Sequence, residues 1–211
     1  MNKLGWYLLA VISFIIILSL PGRLGYVSKH PTLGKEAQQP DIHIKNVSHY
    51  LKSEEMERSV FHLRKAIESI KKIETDADIK SGEGLERAIK ELEKVNDEFW
   101  NDTVNLDHMY QAFEYTLNNL AHAELEVSEM YAETHHEDRS KLALKYAQMH
   151  VRNALLFQKA IYEPNSSHAE IEQHVFLELD SLIAAETLSP ADLSMKIDHI
   201  IHEVDELIAK H

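Results

Sequence analysis

Leu193, Ile197, Ile200, Val204 and Leu207 follow one another at steps of four, three, four and three. That spacing tracks the 3.6-residue turn of an α-helix, so the five side chains share one stripe. The step recurs upstream. One set is Met56, Val60, Leu63, Ile67 and Ile70, and a second is Leu85, Ile89, Leu92 and Phe99. A third is Leu106, Tyr110, Phe113, Leu117, Leu120, Val127 and Tyr131. Striped helices bury their stripes against each other, and short turns return the chain antiparallel. Six glycines and five prolines in 211 residues leave little material for a turn-rich β fold.

The pattern therefore predicts an all-α domain, an antiparallel helical bundle of about six helices. They are expected over 44–75, 84–100, 104–135, 139–162, 166–187 and 190–210. "TDADIKSGEG" reads as a turn, and "YEPNSS" as a break. Ser189-Pro190 reads as a cap with proline at the first helical position.

Ahead of this domain stands "LGWYLLAVISFIIILSL", Leu4 to Leu20, without a charge. At about 1.5 Å per residue it spans about 25 Å, the short end of a membrane-crossing helix. Lys3 precedes it, and Trp6 and Tyr7 suit the lipid–water interface. No small-residue cleavage site follows, so residues 1–22 are expected to be a transmembrane signal-anchor, with a cleaved secretory signal as the alternative. Residues 23–41, with Pro31 and Pro40, read as an extended linker to the acidic domain 42–211. The expected location is the cell membrane, crossed once, with the C-terminal domain outside the cytoplasm. Signal cleavage would instead release it to the periplasm or exterior.

Charge excludes several functions. Of 22 Lys and Arg and 35 Asp and Glu, only four basic residues and one acidic one fall in the first 40 positions, leaving 18 against 34. A domain so acidic is repelled by phosphate backbones, so no nucleic-acid partner is expected. The absence of cysteine excludes disulfides, thiolate metal sites and cysteine nucleophiles. No glycine-rich phosphate loop, G-x-S-x-G or H-E-x-x-H occurs, so no enzyme is expected.

Fourteen histidines make metal binding a question. On the helix 104–135, His122, Glu126, Glu129, Glu133 and His136 form a column opposite Phe113 and Tyr131, and read as a solvated acidic face. His199, His202 and Glu206 lie at i, i+3 and i+7, a surface set able to bind a divalent metal weakly. No other cofactor is implied.

Polar residues inside the seams are more informative. Glu124 takes the core position between Leu120 and Val127, and His150 falls in the face of Ala143, Ala147 and Ala154. Folding a hairpin about residue 137 sets Glu124 and His150 level, which predicts a buried hydrogen-bonded pair that fixes register or responds to protons. Asn96, between Leu92 and Phe99, reads as a further register device.

"RSVFHLRKAI" from Arg58 echoes "RNALLFQKAI" from Arg152, the mark of either a duplication or two similar amphipathic helices. "ALLFQKAIYEPNS" resembles the second helix of a tetratricopeptide repeat, without its 34-residue period. The sequence thus points to a single-pass, membrane-anchored helical binding, scaffold or sensor module that is not a catalyst. Its partners would be the membrane, through residues 4–20, and a helical protein or a second copy. The alternatives are a His-rich extracytoplasmic metal-binding or stress protein and a helical-repeat adaptor.

Overall fold

A computed structural model describes residues 36–161, 166–185 and 188–210. The uncharged run from Leu4 to Leu20 and most of the expected linker lie outside the described residues. Among the described residues no helix is long and apolar enough to cross a membrane. They form seven α-helices and no strand: α1 Gln39–Lys52, α2 Met56–Glu74, α3 Ile79–Trp100, α4 Leu106–Glu133, α5 Glu137–Ile161, α6 Ser167–Ala184 and α7 Pro190–Ala209.

The element boundaries follow local chemistry. The helix expected over 44–75 is two helices, broken at Ser53–Glu55, where Glu54 takes a left-handed φ of 61° and reverses the chain. α1 also begins inside the segment read as linker, with Pro40 and Asp41 in its first turn. α3 starts five residues before its expected position, because the Asp78 side chain accepts from the Ser81 N–H and caps it. Asn105 caps α4, and Ser166 caps α6. Ser189 caps α7 through the Asp192 N–H with Pro190 opening the helix, as the sequence predicts.

The spine is the antiparallel hairpin of α4 and α5, the two longest helices. α1, α2 and α3 pack in succession along one side, around Ile44, Leu63, Ile70, Leu85, Leu92, Met109 and Phe113. α6 and α7 close a four-helix arrangement on the other side, around Leu125, Leu144, Val151, Leu179, Ile197 and Val204. α4 serves both cores: 18 of its 28 residues are buried, more than one stripe can supply. Most of the predicted seam residues are interior, while Met56 and Leu106, at helix starts, are exposed.

Candidate functional site

α4 and α5 carry unusual polar cargo into the interior. Glu114, Asn118, His122 and Glu124 on α4 are buried, as are His150 and Asn153 on α5. An ionisable group taken out of water needs a partner or shifts its pKa. The partners come from helices at both ends of the chain.

Asp41, in the first turn of α1, reaches beneath α5. Its Oδ2 stands 2.6 Å from His150 Nδ1, and its Oδ1 accepts from Asn153 Nδ2. His150 and Asn153 lie three apart on α5, so one face of that helix receives the carboxylate. Glu124 approaches from α4 and acts on His150 through its charge, while its Oε2 has no hydrogen-bond partner among the described residues. Burial pushes the Glu124 carboxyl up to about 7, with His150 pulling it down and Asp41 pushing it further up. Burial lowers the pKa of His150, but Asp41 and Glu124 outweigh it and leave the ring raised.

The carboxylate in contact with His150 is therefore Asp41, not the expected Glu124. The reason is register. Ser128 Oγ and Ser140 Oγ meet at 2.9 Å, which centres the α4–α5 hairpin near residue 134 instead of 137. On that centre the residue level with Glu124 is Leu144, six before His150. Sequence reasoning missed Asp41 by leaving it in the linker, although Pro40-Asp41 is a helix-start signal.

A second buried set lies between α4 and α6. Glu114 Oε1 pairs with His168 Nε2, and Glu172 follows one turn along α6. Burial first, then the neighbouring Glu114 charge, pushes Glu172 up to about 9, so it keeps its proton at neutral pH. Asn118 lies beside it.

The column from His122 to His136 is not a solvated face along its whole length. His122 is only 3% exposed. Its Nδ1 lies 3.3 Å from Ser81 Oγ on α3, and its Nε2 lies 3.2 Å from Asp205 Oδ1 on α7, which also binds Lys80 at 2.8 Å. Ser194 donates to Glu129 at 3.1 Å. α7 covers this side of α4: His122 is buried, Glu126 and Glu129 are half-buried, and Glu133 and His136, near the helix end, are exposed. Asn96 is half-buried, and its Oδ1 has no hydrogen-bond partner among the described residues.

The surface triplet separates. His202 pairs with Glu206 at 3.8 Å, both well exposed. His199 instead points across to α6, where its Nε2 lies 3.9 Å from Glu178. His174, Glu178 and Glu203 each place a ligand atom within 4.8 Å of the others. This grouping spans two helices, and a search along one helix does not find it. Compared with known protein families, curated proteins and solved structures, the chain matches none.

Proposed function

We propose that this chain is a non-catalytic, proton-responsive sensor module, held at a membrane by residues 4–20, whose switch is the docking of Asp41 against His150 beside Glu124. The observation that supports it is the position of Asp41. It lies in the first turn of the first described helix, on the side of the chain that leads to the uncharged run.

Charge counting gives the response. The charged groups acting on His150 are Asp41 from α1 and Glu124 from α4. At mildly acidic pH the raised His150 ring holds its proton beside the Asp41 carboxyl group, and Glu124 is neutral. As pH climbs through about 7 Glu124 becomes charged, and the ring gives up its proton at its own raised value, so negative charge gathers in an interior that cannot solvate it. An unpaired buried charge is strongly destabilising, and the response proposed is release of the first turn of α1. Loss of docking then exposes polar surface on α5 to a helical partner or second copy.

The absence of native cysteine makes the test direct. Lys45 on α1 and Ala160 on α5 line one groove. Spin labels at Lys45→Cys and Ala160→Cys in the detergent-solubilised full chain report α1 docking. The distance distribution should be narrow at pH 6 and broaden at pH 8, and Glu124→Gln should suppress the broadening. An unchanged distribution across that range removes the sensor reading and leaves a static scaffold.

A further inference from the structure

One pattern occurs on two adjacent helices: His174-x-x-x-Glu178 on α6 and His199-x-x-x-Glu203 on α7. Residues four apart stack on one helix face. α6 and α7 run antiparallel, and a single register sets His174 opposite Glu203 and Glu178 opposite His199. His174 Nδ1 is 3.0 Å from each Glu203 carboxylate oxygen. His174 Nε2 is 3.8 Å from Glu178 Oε1. His199 Nε2 is 3.9 Å from Glu178 Oε2 and 3.9 Å from Glu203 Oε1.

These spacings suit one ion. Ligands about 2.0–2.1 Å from a tetrahedral zinc stand about 3.3 Å from each other, and His174, Glu178 and Glu203 each offer one ligand atom within 4.8 Å of the other two. The carboxylates form the floor, with Glu203 20% and Glu178 33% exposed, and the two imidazoles form the rim at 54% and 58%. An ion can enter from solvent where His174, Glu178 and Glu203 converge, with His199, 3.9 Å from both carboxylates, beside them as the fourth group. Lys196, which lines the adjoining groove, is the neighbouring cation that would compete for Glu178.

We propose that His174, Glu178, His199 and Glu203 form a binding site for a divalent transition ion of the zinc class, joining α6 to α7. Two carboxylates balance the charge of the ion. Two imidazoles select zinc, nickel or copper over magnesium and calcium, which take oxygen ligands. The site lies on the outer side of the second core, beside Val175, Leu179 and Ile200, so an ion there clamps the hairpin that completes that core. It is separate from the Asp41–His150 junction and does not depend on the sensor reading.

The test is calorimetric titration of Zn2+ into the detergent-solubilised full chain, with thermal melts beside it. Wild type should bind one strong equivalent and melt at higher temperature with zinc, while magnesium leaves the melt unmoved. The double variant His174→Ala/His199→Ala should bind that equivalent at least about tenfold more weakly and lose the zinc-dependent shift. His202→Ala, a histidine on the same α7 surface, should behave as wild type, and circular dichroism should show every variant equally helical. Zinc binding and melting shift that survive the double variant, or that vanish with His202→Ala, would overturn the assignment. So would a wild-type chain that binds no strong equivalent.

Discussion

Asp41 on α1 and His150 on α5 meet at 2.6 Å with 3% and 0% of their side chains exposed. Removing one partner leaves the other charged or unpaired in a medium that cannot solvate it. Asp41→Ala should therefore cost about 3–5 kcal/mol of stability at pH 6. Asp41→Ala combined with His150→Leu should cost less than the two single changes summed, because the second change removes the stranded group. Urea melts of the four proteins measure both quantities. A single-variant loss below about 1 kcal/mol, the scale of an exposed pair, would show that water reaches this contact.

Stability should fall as pH rises from mildly acidic to alkaline, the reverse of ordinary acid denaturation. Glu124 titrates at about 7 in the fold against an ordinary value of 4.5. A group whose folded pKa is raised binds its proton more tightly in the native state. Its contribution is complete below about 4.5 and is lost as pH climbs through about 7. His150, also raised, loses its contribution as pH passes its own value above 6.5. Glu124→Gln keeps the shape and removes the titration. It should be neutral or stabilising at pH 8 and should remove a part of the fall on the order of 3 kcal/mol, while Glu172, pushed up to about 9, keeps a fall of the same sign. Melting temperatures from pH 5 to 8.5 decide it; parallel curves for variant and wild type would place the pH response elsewhere.

An opposing limb belongs to His122. Burial lowers its pKa, with Asp205 raising it and Lys80 lowering it. Its neutral ring favours the fold above 6.5, and that contribution is lost as pH falls through the depressed value. His43 and His62, whose pKa values burial also lowers, act with the same sign. The melting profile should therefore pass through a maximum on the acidic side of neutrality. His122→Gln should hold up better than wild type as pH drops from 6.5 to 5; equal losses for the two proteins would deny His122 this role.

The seams were legible because they are local. Leu193 to Leu207 reads as a stripe at any position in a bundle, and the Ser189-Pro190 cap needs no partner to be recognised. What escaped was set by neighbours. A helical wheel assumes one buried face, but α4 is covered by α3, α5 and α7, so His122 is interior although it stands opposite Phe113. The alanines on either side of it, Ala121 and Ala123, were the available sign of a close second neighbour. The His150 partner depended on where the hairpin turned, and three residues of error there displaced the pairing by more than a turn. His199 and His202 share one helix, whereas the carboxylates nearest His199 include Glu178 on another.

The glycines of α3 supply the last prediction, because two that sit two residues apart should respond with opposite signs. Gly84 faces Asn119 on α4: a Cβ there would collide with Asn119 Oδ1. Asn119 is 3% exposed, and its Nδ2 donates to Tyr115 O at 2.8 Å, so it has little room to yield. Overpacking of about 1–3 kcal/mol should exceed the helix-propensity gain of about 1 kcal/mol, making Gly84→Ala destabilising. Gly82 has no such neighbour, since the nearest atom to its Cβ position is Glu74 O at 4.0 Å. Gly82→Ala should keep the propensity gain and stabilise the chain by about 0.5–1 kcal/mol. Chemical denaturation of the two variants compares the same substitution in the same helix. If both stabilise, α4 shifts to accept the methyl group and the α3–α4 contact is looser than its geometry implies. If only Gly84→Ala destabilises, the glycine is there because Asn119 needs the space.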